Sequence, residues 1–363
     1  MTYLRNCWYA VMWSEALKSG ELSAKTLLDE NLIFYRDLAG APVAMDDMCP
    51  HRLAPLRLGK LMPDGNIQCG YHGLEFSSSG ECVKNPHGSG RIAKNCRVKT
   101  YSLVEKHTLL WIWMGEAPAD QQLIPDFSYL DADSGYDVGR RDTITMETNY
   151  RYIVDNLMDL SHASFLHDGV LGNSDTIWAE VQVTQTGKSV SVQRDMNDVK
   201  PPLVRDLLFK RDGANVNMWA KITWHPPAAV LNDVGTYALG DDRANFSGQL
   251  GCHILTPETA TTTLYHTAAA RQGPIGAIAD EGDDAFKLRI AELRRFAFAE
   301  QDDPMLKAQQ ENIRKHPDVK PMLLEIDAGP VRCQRILDNL IAAEQKAAPP
   351  QTIAASAQAP VTA

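Results

Sequence analysis

Two mixed pairs of cysteine and histidine constrain this sequence more than any other feature. Cys49 and His51 form a C-x-H pair, and Cys69 and His72 form a C-x-x-H pair further along the chain. A zinc finger groups its two cysteines ahead of its two histidines, whereas each half is mixed here. Both pairs lie in turn-like sequence, which suits two hairpin loops that face a single cofactor.

Two thiolates and two imidazoles are the ligands of a Rieske 2Fe-2S cluster, in which the cysteines bind one iron and the histidines bind the other. A mononuclear zinc site and four unrelated residues are the alternatives to this cluster. Arg52 and the Gly-Tyr-His-Gly sequence at 70–73 strengthen a resemblance to the Rieske family. Because some Rieske proteins only carry electrons, the rest of the chain must distinguish a carrier from an enzyme.

The length and pattern of the chain predict two domains of an α+β protein. Its 363 residues exceed the roughly 250 to 300 residues at which one hydrophobic core stops growing. Short β-rich stretches between turns predict an all-β domain over 1–118. A second, catalytic domain is predicted over 119–345, with an antiparallel sheet within 178–270 and helices beside it. The Ala-, Pro- and Gln-rich tail at 346–363 is predicted to be disordered.

The segment 149–167 has apolar residues at spacings of three and four, which predicts a helix. His162 and His167 lie in this segment, and five residues rotate a side chain by about 140° beyond one full turn. An unbroken helix therefore cannot direct both imidazoles to one metal. Either the two histidines are unrelated, or the helix unwinds or bulges between them, as helices often do at functional sites.

Two histidines and one carboxylate form the iron site of non-haem Fe(II) oxygenases. The segment 298–310 offers Asp302 or Asp303 as the carboxylate, and the alternative is a solvated charge pair at a helix end. In the Rieske oxygenases, which the chain resembles, the third ligand is an Asp in a C-terminal helix of this type, and the resemblance selects Asp302. Gln301 stands where that family has an acidic residue, and Pro304 is also unusual there.

The same resemblance implies two further residues near the iron. Asp159 is expected to link His72 of a neighbouring subunit to His162, because a carboxylate fixes the tautomer and orientation of a ligand imidazole. Asn156, one helical turn before Asp159, is expected to lie near the iron without necessarily binding it. Since the two metal centres of one subunit would be far apart, a head-to-tail ring, usually a homotrimer, is implied.

The resemblance covers the chain except its tail and is closest to the vanillate and dicamba O-demethylases, in stretches such as YRYIVDNLMDLSHASFLH and KPMLLEIDAGPV. It implies a Rieske domain and a helix-grip catalytic domain, with one 2Fe-2S cluster and one mononuclear Fe(II) per subunit. The implied reaction is the O2-dependent O-demethylation of a methoxylated aromatic acid to a phenol and formaldehyde. The alternatives are hydroxylation of a methyl group or ring of another aromatic substrate, and a non-catalytic electron carrier.

The partners follow from what the sequence lacks and from the nature of the substrate. The GSG at 88–90 lacks the third glycine of a dinucleotide-binding fingerprint. A separate NAD(P)H-dependent reductase or a ferredoxin is therefore expected to supply the electrons. An aromatic acid needs a cation or hydrogen-bond donor in an otherwise apolar pocket. His253, which matches a pocket histidine in the pattern of the dicamba enzyme, and His225 are the candidates for this contact.

Composition excludes several other classes of protein. A net charge of -10 and a pI near 5.5 disfavour nucleic acid as a partner. No run of about 18 apolar residues offers a membrane span. Seven cysteines, an odd number, do not suggest a framework of paired disulfides. Because no secretory signal is visible, we expect a cytoplasmic protein.

Overall fold

The structure is a computed structural model that describes residues 3–209, 212–272 and 282–347. The tail predicted to be disordered lies outside these residues from position 348 onward. Its first two residues, 346 and 347, instead belong to the last helix, which ends at Ala347.

The first part of the chain forms two antiparallel sheets from strands rich in aromatic and branched residues, which favour a pleated backbone. The larger sheet has the order β1-β10-β9-β4-β3-β2, and the smaller has the order β5-β6-β7-β8. The all-β character predicted for this part is confirmed. The strands are β1 (Trp8–Trp13), β2 (Ser23–Leu27), β3 (Glu30–Arg36), β4 (Pro42–Asp46), β5 (Lys60–Leu61), β6 (Ile67–Gln68), β7 (Glu75–Phe76), β8 (Cys82–Lys84), β9 (Thr100–Lys106) and β10 (Leu109–Trp113).

The second part contains an eight-stranded antiparallel sheet with the order β11-β18-β17-β16-β15-β14-β13, and β12 also pairs with β18. The antiparallel sheet predicted within 178–270 is confirmed. Two strands from before the first helix extend it beyond that range. The strands are β11 (Asp137–Val138), β12 (Asp142–Met146), β13 (Gln182–Thr186), β14 (Ser189–Val199), β15 (Val216–His225), β16 (Ala229–Ala238), β17 (Ser247–Pro257) and β18 (Thr263–Gln272).

Helices pack on this sheet and complete the predicted α+β architecture. A π-helical turn at Phe296–Asp302 joins α3 to α4, so that the three form one continuous helical segment. Pro304 lies in the first turn of α4, directly after the π-helical turn. The helices are α1 (Tyr150–Met158), α2 (Leu203–Leu208), α3 (Asp283–Arg295), α4 (Asp303–Lys315) and α5 (Ala328–Ala347).

The helix predicted over 149–167 is shorter than expected. It begins after Asn149, whose side chain accepts a hydrogen bond from the backbone N–H of Arg151, and ends at Met158. Asp159 is extended, and a short 3-10 turn follows at His162–Ser164. An unbroken helix through both histidines is therefore absent, as expected, but the break lies ahead of His162 and not between the two histidines.

One hydrophobic core joins the two parts of the chain. Buried Tyr9 and Leu110 of the larger N-terminal sheet belong to the same cluster as Val154 of α1, Trp224 of β15 and Leu337 of α5. This shared core packs the larger N-terminal sheet against the helices and sheet of the second part. Within the described residues, no helix is both long enough and apolar enough to cross a membrane.

Candidate active site

Three side chains converge where α1 has ended and the π-helical turn closes. Asp302 Oδ1 lies 3.2 Å from His167 Nε2 and 3.8 Å from His162 Nε2. One ligand atom from each residue lies within 4.8 Å of those of the other two. His167 Nε2 is buried and makes no hydrogen bond, although it faces the carboxylate. A cation shared by the three groups would satisfy this nitrogen, so the donor set fits a mononuclear iron.

The two imidazoles are oriented through their other ring nitrogens. His167 Nδ1 lies 2.8 Å from Gln301 Oε1, and with this nitrogen donating, Nε2 presents its lone pair to a metal. His162 Nδ1 bonds to the backbone carbonyl oxygen of Asp159 in a short contact. The family resemblance gave the Asp159 carboxylate this role, but that group accepts from Ser161 instead.

The carboxylate of Asp302 is also held in place. Asn156 donates from Nδ2 to Asp302 Oδ1 at 3.1 Å, so it lies beside the three groups, where it was expected. The Asp303 carboxyl does not join the three groups, because it interacts with the backbone of Glu147 and the side chain of Thr148. Burial raises the pKa of this carboxyl. Of the two aspartates considered, the structure brings Asp302 to the histidines.

The two cysteine–histidine loops have the same backbone geometry. Cys49 N–H donates to the carbonyl of Ala54, and Leu53 N–H donates back to Cys49; the loop of Cys69, Gly73 and Leu74 repeats both bonds. Leu53 and Gly73, the fifth residues of their loops, both have positive φ. Two different sequences thus form one hairpin design, as expected for a cofactor that both loops share.

The side chains of these loops are arranged for a two-iron cluster. The Cys49 and Cys69 thiols are buried in a core formed by Ile33, Ile67 and other apolar residues of both N-terminal sheets. The rings of His51 and His72 lie nearer the surface, with their centroids 4.7 Å apart. Buried thiols behind two partly exposed imidazoles fit the Rieske ligand set, since the histidines bind the outer iron.

A cavity of about 160 Å³ adjoins the three converging side chains. An engineered cavity of about 150 Å³ holds benzene, so this space suits a compound with one aromatic ring. Its walls come from the end of α1, the loop after it, α2, one face of β14–β17 and the π-helical turn. The lining residues include Leu157, His162, His167, Arg194, Arg205, Met218, Ala220, Ile222, Asn232, Gln249, His253, Phe298 and Asp302.

His253 and His225 differ in their relation to this cavity. His253 lines it, is buried, and has its Nδ1 2.6 Å from the Tyr265 hydroxyl oxygen. His225 is not among the lining residues, and its Nδ1 lies 2.8 Å from Ser189 Oγ. The expectation that His225 contacts the substrate is therefore wrong. Side chains alternate between the faces of a strand, and the cavity side of β15 carries the even-numbered Met218, Ala220 and Ile222.

Comparison with known proteins identifies the family to which this chain belongs. Residues 7–102 match the model of the Rieske 2Fe-2S domain, and residues 146–343 match that of the vanillate O-demethylase oxygenase C-terminal domain. The chain belongs to this family of Rieske oxygenases. It is the oxygenase component of a monooxygenase, and it holds a Rieske 2Fe-2S cluster and a mononuclear iron.

Relatives of this Rieske oxygenase act on different compounds. It is 32% identical over 360 residues to the oxygenase component of chloroacetanilide N-alkylformylase of Rhizorhabdus wittichii, covering 98% of this chain and 99% of that one. It is 32% identical to the oxygenase component of dicamba O-demethylase of Stenotrophomonas maltophilia, over 94% and 98% of the two chains. It is 33% identical to the iron-sulfur subunit of the toluene-4-sulfonate monooxygenase system of Comamonas testosteroni, over 94% and 98%.

A solved structure agrees with the fold of this oxygenase. Dicamba monooxygenase bound to 3,6-dichlorosalicylic acid superposes with a TM-score of 0.87 at 30% identity, over 95% of this chain and 99% of that one. The predicted fold class, an all-β Rieske domain followed by a domain with an antiparallel sheet and helices, is therefore confirmed.

Three residues of the site were not predicted from the sequence. Gln301 was noted only as a departure from the family pattern, yet it is the hydrogen-bond partner of His167. Arg205 and Asn232 line the cavity, and each has a buried polar atom, Arg205 Nη1 and Asn232 Oδ1, without a hydrogen bond. No local pattern singles out these two residues, because their burial depends on how distant strands and α2 enclose the cavity.

Replacing Gln301 should weaken iron binding because it releases His167 from its orientation. We expect the apparent affinity for Fe(II) in Gln301→Leu to fall about 10- to 100-fold, the usual cost of losing an outer partner of a metal ligand. Gln301→Glu, which restores the acceptor, should retain most of the affinity. Titration of iron-depleted protein with Fe(II) measures both; equal affinities of Gln301→Leu and the unaltered protein would contradict the role.

Proposed function

We propose that this oxygenase component O-demethylates a methoxylated aromatic acid, releasing formaldehyde and a phenol. We infer that Cys49, His51, Cys69 and His72 hold the cluster, and that the mononuclear iron is bound by the three converging residues described above. The observation that carries the choice of an acid is the unsatisfied guanidinium nitrogen of Arg205 in a largely apolar cavity beside those three residues.

Arg205 is available to an anion, whereas the other arginine of the cavity is not. Arg205 donates from Nη2 to the carbonyl of Trp219 at 2.9 Å, and its buried Nη1 has no partner. Burial lowers the pKa of Arg205 to about 10, which leaves the side chain charged at neutral pH. Arg194 instead donates to four backbone carbonyls, those of Leu160, Thr176, Ile177 and Ala179. Asp233 compensates part of the Arg205 charge, and a substrate carboxylate at the unpaired Nη1 would stabilise the complex further.

Two neutral groups of the cavity can bind a second polar substituent. Asn232 Oδ1 is a buried acceptor without a donor, and it would accept a hydrogen bond from a ring hydroxyl. Burial lowers the pKa of His253 to about 3, so its imidazole is neutral and cannot serve as the cation. With the Tyr265 hydroxyl donating to Nδ1, His253 carries its proton on Nε2 and can donate there. The site thus favours an aromatic acid with a second polar substituent.

The iron and the protein side chains would have different roles in this reaction. Iron at this site, when bound, activates O2. The overall reaction converts the methyl ether, O2, two electrons and two protons into a phenol, formaldehyde and water. Arg205 would position the acid, and apolar Leu157, Ile222 and Phe298 would exclude water from the methyl group. The hydroxylated methyl group is a hemiacetal, which breaks its bond to the phenolic oxygen as its hydroxyl proton is lost.

We also propose that the chain forms a head-to-tail homotrimer. A ferredoxin or a flavin and iron–sulfur reductase would supply its electrons. His162 reaches a surface groove whose charged lining comprises Asp155, Asp159, Asp327, Asp338 and a single arginine. The surface around His72 is basic, because Arg52, His87 and Arg91 are exposed there. Opposite charges on the two surfaces support contact between the cluster of one subunit and the groove of the next.

Product analysis tests the proposed reaction. Purified enzyme with a suitable reductase and NAD(P)H should release formaldehyde and the matching phenol, in equal amounts, from at least one methoxylated benzoate. Toluene-4-sulfonate and methylbenzoates, whose anionic groups Arg205 would also bind, are the comparison substrates. A hydroxymethyl product without formaldehyde from these, and no turnover of any methoxybenzoate, would replace demethylation with methyl hydroxylation.

Substitution of Arg205 tests the choice of an acid. In Arg205→Met we expect kcat/KM for the acid to fall about 10- to 100-fold, since a hydrogen bond to a charged group contributes about 1.5–3 kcal/mol. A neutral analogue, such as the corresponding aldehyde, should change by less than about threefold because it has no carboxylate to lose. Arg243→Met is the matched control, as Arg243 stacks on Trp219 from the exposed side. An equal loss for acid and aldehyde would refute the anchor.

A further inference from the structure

Two cysteines beside the cluster loops have no part in the proposed function. Cys82 is the first residue of β8, and Cys96 lies in the chain that leads to β9. Of the seven cysteines, all of which the structure describes, these two are the ones that are not buried. Both line a cavity whose wall also contains His51 and His72. In a single subunit the pair is therefore partly exposed, and it is adjacent to the cluster site.

The backbone places these cysteines opposite each other. Glu81 and Arg97 form an antiparallel bridge, and the next pair along it is Cys82 and Cys96. Cys82 N–H donates to the carbonyl oxygen of Cys96 at 3.2 Å. Directly opposed residues of an antiparallel pair have Cα atoms about 4.5–5.5 Å apart, within the range of about 4.4–6.8 Å that disulfides span. A bond between the two sulfur atoms therefore needs little movement of the backbone.

The thiols also interact. Burial raises the pKa of Cys82 to about 11, and a side-chain hydrogen bond with Cys96 adds to the increase. Because the thiolate is the attacking form, the pair should react slowly at neutral pH and faster at higher pH. This separates it from a permanently reactive thiol.

The segment enclosed by the pair, residues 83–95, contacts the second cluster loop. His87 Nε2 lies 2.8 Å from the carbonyl oxygen of His72, and Asn85 donates from Nδ2 to the carbonyl of Arg91 at 2.8 Å. The segment forms one wall of the cavity next to the two histidines. A covalent link between its ends would restrict how far this wall can move away from His72.

We propose that Cys82 and Cys96 form a reversible disulfide that closes the segment 83–95 beside the cluster site. The oxidant is a low-molecular-weight disulfide such as oxidised glutathione. One cysteine thiolate attacks it and releases one small thiol, and the other cysteine attacks the mixed disulfide and releases a second. Two protein thiols are oxidised, one small disulfide is reduced to two thiols, and the two protons leave on those products. This site does not depend on which compound the oxygenase demethylates.

Thiol mapping of the holoenzyme tests the disulfide. After incubation with oxidised glutathione at pH 8, followed by alkylation and digestion, we expect a peptide pair that links Cys82 to Cys96 and is lighter by two hydrogen atoms. A dithiol reductant should reverse the change. In Cys96→Ser, Cys82 should instead retain a single glutathione adduct. The visible absorption of the cluster, recorded throughout, shows whether Cys49 and Cys69 remain bound.

Thermal stability gives a second measurement. Closing a loop of about 15 residues restricts the unfolded chain, so the temperature at which the cluster absorption is lost should rise by about 5 °C on oxidation. Neither Cys96→Ser nor Cys82→Ser should show this rise. Separate glutathione adducts on both cysteines, or no linked peptide although both cysteines are readily alkylated, would overturn the proposal. Loss of the cluster from both serine variants as purified would also overturn it, because the pair would then serve the cluster itself.

Discussion

Replacing Asp302 by alanine is expected to remove one iron per chain and to abolish turnover while the 2Fe-2S cluster stays intact. The carboxylate lies 3.2 Å and 3.8 Å from the two imidazole nitrogens, and without it two neutral ligands remain. We expect iron to fall from about three to about two atoms per chain. The visible spectrum of the cluster should not change, because its loops belong to a separate core.

Asp303→Ala is the matched control for this prediction. It removes a neighbouring carboxylate that interacts with Glu147 and Thr148 and does not face the histidines. We expect its iron content and turnover to resemble those of the unaltered enzyme. If Asp303→Ala lost the iron and Asp302→Ala retained it, the third ligand would move by one residue.

Replacing Asp159 by asparagine is expected to leave both metal centres occupied and to remove most of the turnover, because its carboxylate is proposed to link His72 of the next subunit to His162. The backbone carbonyl of Asp159, which orients His162, remains in this variant. What changes is the charge of the side chain, which lies in the acidic groove proposed to meet the basic surface around His72 of the next subunit. Iron content, substrate dissociation constant and turnover number should be measured together.

Asp338→Asn separates a specific role of Asp159 from the general charge of the groove. Asp338 lines the same groove and pairs with Arg151 at 2.7 Å, but it does not contact His162. Its replacement should change turnover by less than about threefold, as expected for an exposed ion pair. Equal losses of turnover in the two variants would mean that Asp159 acts only through the general charge of the groove. Unchanged turnover in Asp159→Asn would contradict the proposed link between His72 and His162.

The local parts of the site could be predicted from the sequence. The mixed pairs at Cys49 and Cys69 specify two short loops, because the turn residues around them leave few other conformations. The helical rotation between His162 and His167 also showed that α1 must end if they share a metal. The family resemblance, and not the residue pattern, distinguished Asp302 from Asp303.

The remaining parts depend on contacts that are distant in sequence. The orientation of His167 by Gln301 requires a π-helical turn, for which the sequence has no reliable signal. Arg205 resembles a surface charge on a short helix and becomes part of the cavity only when α2 packs against β17 and Arg205 reaches the carbonyl of Trp219 on β15. His225 was misassigned because the register of β15 decides which of its residues face the cavity, and that register is set by pairing with β14 and β16.

A single-turnover experiment tests the central claim most directly. Holoenzyme carrying both centres is reduced chemically, freed of reductant, mixed with a methoxylated benzoate and exposed to O2. We expect formaldehyde and the corresponding phenol in equal amounts, without added reductase, and neither product from Asp302→Ala. A ring-hydroxylated or hydroxymethyl product without formaldehyde, or equal product from Asp302→Ala, would contradict it.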